Sequence, residues 1–341
     1  MTKIHTLLLL CLFALVLPVA GQEAEFKKIK ESWTLRADGS QVYRHMKVLT
    51  LYTHTAMNRT YGESFITYDP RYQTLEIHES YTRQKDGNIV KTPDNTFVEV
   101  LPVSAANAPA FIALREMVVV HTGLELGATV YLDYSITSKP GYLPEINVCR
   151  QLEQSSPVKE YEISITVPQG QRLEYALDNL KSKPLVTEKE GMKQVSWVLK
   201  NLPALSREPQ VSVIGGELPL LTATTEQKPM AFLSAQWERE ADARLRTLAG
   251  KLTAGAKSDE EKVKALHSYV IDNLYYSPLP LSETAYRIRP TAEVLRSAYA
   301  TEAEKANLLA AGLRAAGLKA EIGAVCVPSA NTASLGMGSI R

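Results

Sequence analysis

The chain has 341 residues, 38 Lys plus Arg against 37 Asp plus Glu, and 45% hydrophobic residues, a length that exceeds one small module and allows two domains with cores of their own. A net charge of +1 and the lack of any basic run of five residues exclude a nucleic-acid binder driven by phosphate neutralisation. With 18 Gly, 18 Pro and 22% charged residues, a collagenous or disordered chain is excluded as well.

The first expected element is a leader. Lys3 precedes an apolar run over residues 7–17, and Val19-Ala20-Gly21 offers small residues for cleavage before Gln22, so residues 1–21 read as a secretory signal peptide. A spanning helix needs roughly 18–20 apolar residues; Pro18 and the polar run Gln22-Glu23-Ala24-Glu25 close this stretch too early. The expected location is periplasmic or secreted, with no transmembrane span after cleavage. Leu10, where a small residue would be needed, argues against lipid attachment at Cys11. Cleavage removes Lys3, which brings the net charge to zero, and leaves Cys149 and Cys326 as the only thiols. Two cysteines in an oxidising compartment could pair, but their expected placement in different domains favours two isolated buried thiols.

Residues 22–215 are expected to form a β-rich domain. Val130, Leu132, Tyr134 and Ile136 alternate with polar neighbours, as do Tyr161, Ile163, Ile165 and Val167, which marks half-buried strands. Asp38-Gly39 between residues 29–36 and 41–52, and Asp86-Gly87 between 72–83 and 88–90, predict hairpins. Residues 102–110, rich in Pro, Ala and Asn, read as a surface loop. Many short strands joined by turns argue for an antiparallel sandwich or a strongly bent sheet.

Four prolines and Gly215-Gly216 between residues 201 and 229 mark the boundary, and residues 216–341 form the second unit. Trp237, Ala241, Leu245, Leu248 and Leu252 recur at helical spacing. A second helix starts at a capping signal, Ser258-Asp259-Glu260-Glu261, and should bury Val263, Leu266, Val270 and Leu274. A third follows Arg289-Pro290, and a fourth runs from 301 to 316 with Gly317 as its stop. Residues 318–327 read as a buried strand. The expected fold class is therefore α+β.

No GxSxG, HExxH, phosphate-binding glycine loop or CxxC occurs, so the sequence signals neither a zinc peptidase nor a nucleotide enzyme, and no metal or cofactor is expected. His45, His54, His78 and His121 lack metal-ligand spacing, and His267 reads as a half-buried packing residue. The 16 tyrosines admit a sugar-stacking role, but β propensity accounts for them too.

The segment Arg289-Pro290-Thr291-Ala292-Glu293-Val294-Leu295, with Tyr299 to Gly317 after it, resembles the bacterial transglutaminase-like superfamily. Its characteristic helix reads Lys-Ala-x-Leu-Leu-x-x-x-Leu-Arg-x-x-Gly, and Lys305-Ala306-Asn307-Leu308-Leu309 and Leu313-Arg314-Ala315-Ala316-Gly317 match it. Tyr68-Asp69-Pro70, Leu124-Glu125-Leu126-Gly127 and Glu208-Pro209 are similar to the β domain of unknown function that commonly precedes this core in secreted envelope proteins. The resemblance implies an antiparallel, sandwich-like β domain followed by a partial transglutaminase-like (papain-like) core. It also implies a nucleophilic Cys at the start of that helix, where the dipole favours a thiolate, with a His and an orienting residue from later strands. In this alignment Glu302 takes the cysteine's position, Ala300-Thr301 replace the usual Gly-Asp, and no His follows His267. The implied protein is non-catalytic, with a cleft whose candidate residues are Tyr276, Arg289, Tyr299, Thr301 and Glu302, and an envelope peptide or glycan is the expected partner. Two rivals stand beside it: a longer acyl-transfer or peptide-hydrolysing enzyme using another residue, and a carbohydrate-binding β domain. Oligomeric state is not encoded in any of these signals.

Overall fold

The computed structural model describes residues 22–205, 218–225, 229–327 and 332–340. The expected leader lies outside the described residues. Alternating burial builds the first domain. In chain order its strands are β1 (Ala24–Leu35), β2 (Gln41–Leu51), β3 (Glu63–Tyr68), β4 (Gln73–Arg83), β5 (Ile89–Lys91), β6 (Phe97–Val100), β7 (Arg115–Val120), β8 (Thr129–Ser138), β9 (Asn147–Gln151), β10 (Val158–Pro168), β11 (Glu174–Asp178), β12 (Leu185–Lys189), β13 (Met192–Leu202) and β14 (Leu220–Thr224).

Eight of them form one sheet in the order β12-β13-β10-β1-β2-β8-β4-β5, antiparallel except where β1 runs parallel to β10. The second layer is divided: β11-β14-β9 covers one end of the large sheet and β3-β7-β6 the other. Under the first, Ile29, Leu49, Tyr161, Ile163, Ile165 and Trp197 pack against Val148, Leu221 and Ala223. Under the second, Leu132 meets Ile66 and Val119. The hairpin expected at Asp38-Gly39 joins β1 to β2, and Gly39 takes φ +83°, a left-handed conformation that L side chains avoid.

Two polar groups are folded into this domain. Glu31, 2% exposed, accepts hydrogen bonds from Tyr43, Tyr161 and Arg150. Burial by itself would raise its pKa, but Arg150, His45 and Tyr161 outweigh that and hold the carboxyl down at about 2. On the same inward face Lys47 Nζ donates to Ser64 Oγ at 2.7 Å, and Ser64 Oγ lies 2.8 Å from His121 Nε2. Burial pushes Lys47 down to about 8; burial and the adjacent Lys47 push His121 down to about 3.

The second unit contains α1 (Pro229–Ser234), α2 (Ala243–Thr253), α3 (Asp259–Asp272), β15 (Tyr275–Tyr276), α4 (Thr291–Ser297), β16 (Tyr299–Ala300) and α5 (Glu302–Ala315). Helical spacing places Leu245, Val270, Leu274, Val294, Leu295, Leu308 and Ala311 in one core. Burying each large aliphatic side chain there contributes about 1.5–3 kcal/mol. The parallel pair β15–β16 sets Tyr276 beside Ala300 and thus beside the start of α5.

Several sequence expectations need correction. The division at residue 215 is too early, because β14 is the central strand of β11-β14-β9 and belongs to the β domain. A later segment also returns to that domain: Met337 N–H donates to the Glu145 carboxylate, Gly338 N–H donates to Asn147 Oδ1 at 2.7 Å, and Ser334 Oγ is 2.6 Å from Thr222 Oγ1. Residues 318–325 have no regular secondary structure and are mostly exposed rather than a buried strand, and Cys326 makes an isolated bridge to Ile340. Cys326 is exposed and Cys149 half-buried, and neither is in a disulfide. Trp237 precedes the helix it was expected to join. Val263 is exposed, because α3 turns Leu266 and Val270 inward instead, and His267 is exposed for the same reason. Residues 102–110 are not a free loop: Ala105, Ala108 and Leu114 pack on Leu279 and Tyr299 of the helical unit. Among the described residues, no helix is long and apolar enough to cross a membrane, which says nothing of a β-barrel.

Candidate functional site

Helix α5 begins with the reciprocal cap its sequence predicts. Thr301 Oγ1 accepts from Glu304 N–H, and the Glu304 carboxylate accepts from Thr301 N–H at 2.9 Å. Replacing Thr301 with Ala should cost about 1 kcal/mol, because one orphan N–H of the first turn loses its acceptor. Urea unfolding followed by circular dichroism measures this loss.

Glu304 carries a second duty that the sequence pattern did not reveal. Its carboxylate, fully buried, receives Arg289 Nε at 2.8 Å and Nη2 at 2.9 Å in a bidentate pair. Arg289 also donates to Ser297 Oγ and to the Tyr299 carbonyl, and its guanidinium lies 4.2 Å from the Tyr299 ring centroid and 5.5 Å from that of Phe111. The Tyr299 hydroxyl accepts from Ala110 N–H at 2.6 Å. Arg289 and Tyr299, expected to line a cleft, therefore sit behind it and join the docked β-domain segment to the start of α5.

The other three candidates, Tyr276, Thr301 and Glu302, do meet at one groove, a cavity of about 610 Å³. Met230, Leu233, Trp237, Leu279, Leu281, Ile288 and Val325 supply much of its apolar lining, and Ala303 and Ala306 of α5 line it as well. Sequence reasoning missed the contribution of α1 and of residues 322–325, which come from outside the matched helix. Glu302 is exposed, free of the cap and of the Arg289 pair, and among the described residues is the one charged residue of the lining. The nearby Lys305 ammonium is turned away: it donates to the Leu274 carbonyl at 2.9 Å and lies over the Tyr276 ring. Among the described residues, the lining includes neither Cys nor His. No cluster of metal-ligating residues occurs among the described residues.

Residues 37–206 match the domain of unknown function DUF3857, and residues 246–333 match the transglutaminase-like superfamily. A solved structure from Parabacteroides distasonis, described as that of a candidate protease, is 47% identical with a TM-score of 0.89. The match covers 94% of this chain but only 64% of that one. An M1 zinc metallopeptidase from Deinococcus radiodurans, 12% identical over 59% of this chain and 42% of its own, has a TM-score of 0.28, too low to carry an argument. No curated protein matches.

Proposed function

Since this chain pairs a DUF3857 domain with a transglutaminase-like core, we propose that it is a non-catalytic binding protein of the bacterial envelope whose groove at the start of α5 holds a peptide. The observation that carries this reading is Glu302, exposed at the first turn of α5 where the superfamily's nucleophile is expected and facing a groove that, among the described residues, has neither Cys nor His. A carboxylate there cannot form the thioester that acyl transfer by a cysteine requires. The groove's wall of Met, Leu, Ile, Trp and Tyr fits apolar side chains, and its volume is that of a small-ligand or short-peptide site. A periplasmic or secreted location is part of the proposal, since it rests on the leader.

The glycan alternative draws less support. Tyr72 stacks on Tyr142 and Tyr81 on Tyr131, each with centroids 4.8 Å apart, so these rings face one another instead of forming an open platform.

The purified protein, incubated with a glutamine-donor peptide plus an amine and separately with unlabelled envelope peptides, should give no transfer or cleavage product by mass spectrometry. Apolar peptides should nevertheless bind, and Ala306→Trp, which places a large ring in the groove from an exposed position, should weaken that binding at least tenfold. Turnover that disappears in Glu302→Ala would overturn the proposal and favour the enzyme known so far only as a relative's description.

A further inference from the structure

Building on the peptide-binding reading, we infer that the groove selects its peptide by a primary ammonium group, which Glu302 holds at the mouth while an apolar side chain fills the interior.

The charge distribution points there. Behind the groove Glu304 and Arg289 are paired with each other, and Lys305 is held by a carbonyl and the Tyr276 ring. Arg287 is drawn off to the Gly141 carbonyl and the Phe232 ring, and Glu283 accepts from Ser104. Among the described residues Glu302 has no such partner and faces a lining that is otherwise uncharged. A carboxylate beside an apolar wall is hydrated less completely than one in open water, so a cationic donor gains a charge-assisted hydrogen bond as well as attraction. An anionic ligand would instead meet like charge. A compact ammonium suits the position, since it can donate to Glu302 from one side while keeping water on the other.

Two sources of this group exist in a peptide, the free N-terminus and a Lys side chain. Isothermal titration calorimetry with the peptide Leu-Ala-Lys-Ala amide separates them through three further arms: the N-acetylated peptide, the peptide with norleucine in place of Lys, and the peptide with both changes. The doubly altered peptide should bind about tenfold more weakly than the parent, the worth of one hydrogen bond to a charged group. One single change should reproduce most of that loss and so identify the source. Glu302→Gln should weaken the parent by a similar factor and leave the doubly altered peptide unchanged. Because Glu302 takes no part in the cap or the ion pair, the variant's melting temperature should stay close to that of the unmodified protein. If all four peptides bind equally to both proteins, the ammonium inference fails while peptide binding stands. If none binds, the groove is not a peptide site and both fall.

Discussion

Changing Arg289 to Met should destabilise the helical unit by about 3–5 kcal/mol, because it strands the fully buried Glu304 carboxylate without its cation. The loss should be larger than that of the Thr301 cap, since the guanidinium also serves Ser297, the Tyr299 carbonyl and the rings of Tyr299 and Phe111. Guanidinium unfolding followed by circular dichroism measures the cost. Hydrogen exchange at Ala110, whose N–H bonds to Tyr299, should report loosening of the docked β-domain segment. The double change Arg289→Met with Glu304→Leu should recover part of the loss, because two apolar side chains replace a buried pair at little cost. Recovery should be incomplete, since Glu304 also caps Thr301. A single variant within about 1 kcal/mol of the unmodified protein would contradict the geometry of the pair.

Acid should destabilise the β domain in two stages. His121 has its pKa pushed down to about 3 by burial and by Lys47, so below pH 6.5 the unfolded chain takes up a proton that the folded chain refuses. Its contribution is complete above pH 6.5 and is lost progressively as the pH falls toward 3, a total of about 5 kcal/mol. Glu31, held at about 2, joins below its ordinary value of 4.5, where the unfolded carboxylate protonates first. Between pH 6.5 and 4.5 the decline should therefore belong mainly to His121. Melting curves at half-unit steps should show a slope approaching one proton in this window. Replacing His121 with Gln, which keeps a polar partner near Ser64, should flatten that slope and leave the fall below pH 4.5 in place. An unchanged slope in the variant would assign the acid sensitivity elsewhere.

The sequence revealed the periodic parts of the fold. Alternation located β8 and β10, Asp-Gly pairs located two hairpins, and the Thr301–Glu304 spacing located the start of α5. These signals are local, and each is repeated by several neighbouring residues. The β14 strand lacked such support, because Leu220-Leu221-Thr222-Ala223-Thr224 is too short to alternate clearly and lies between prolines. Residues 318–327 failed in the opposite direction: Ile322, Ala324 and Val325 look like strand residues, yet among the described residues no strand pairs with them and most of the segment is exposed. Of the five candidate cleft residues, Tyr276, Thr301 and Glu302 came together because β16 and α5 are adjacent in sequence and β15 pairs with β16. Arg289 and Tyr299 were drawn elsewhere by Glu304, Phe111 and Ala110, and Phe111 and Ala110 approach from the other domain. Lys47 carried a usable signal, since it shares strand parity with the buried Leu49 and Leu51; its contact with Ser64 and His121 depends on pairing that one strand cannot announce.

The position of β1 has a consequence for how the chain reaches its native state. Its β2 edge can close through a tight hairpin as soon as both strands exist, but its other edge waits for β10; Glu31 and Tyr161, which meet across that edge, are 130 residues apart. Closing so long a loop is slow, and the growing chain meanwhile presents a bare strand edge next to an apolar face. Folding of the large sheet should therefore be late and sensitive to protein concentration, with the β1–β2 hairpin as the site where unfinished copies first associate.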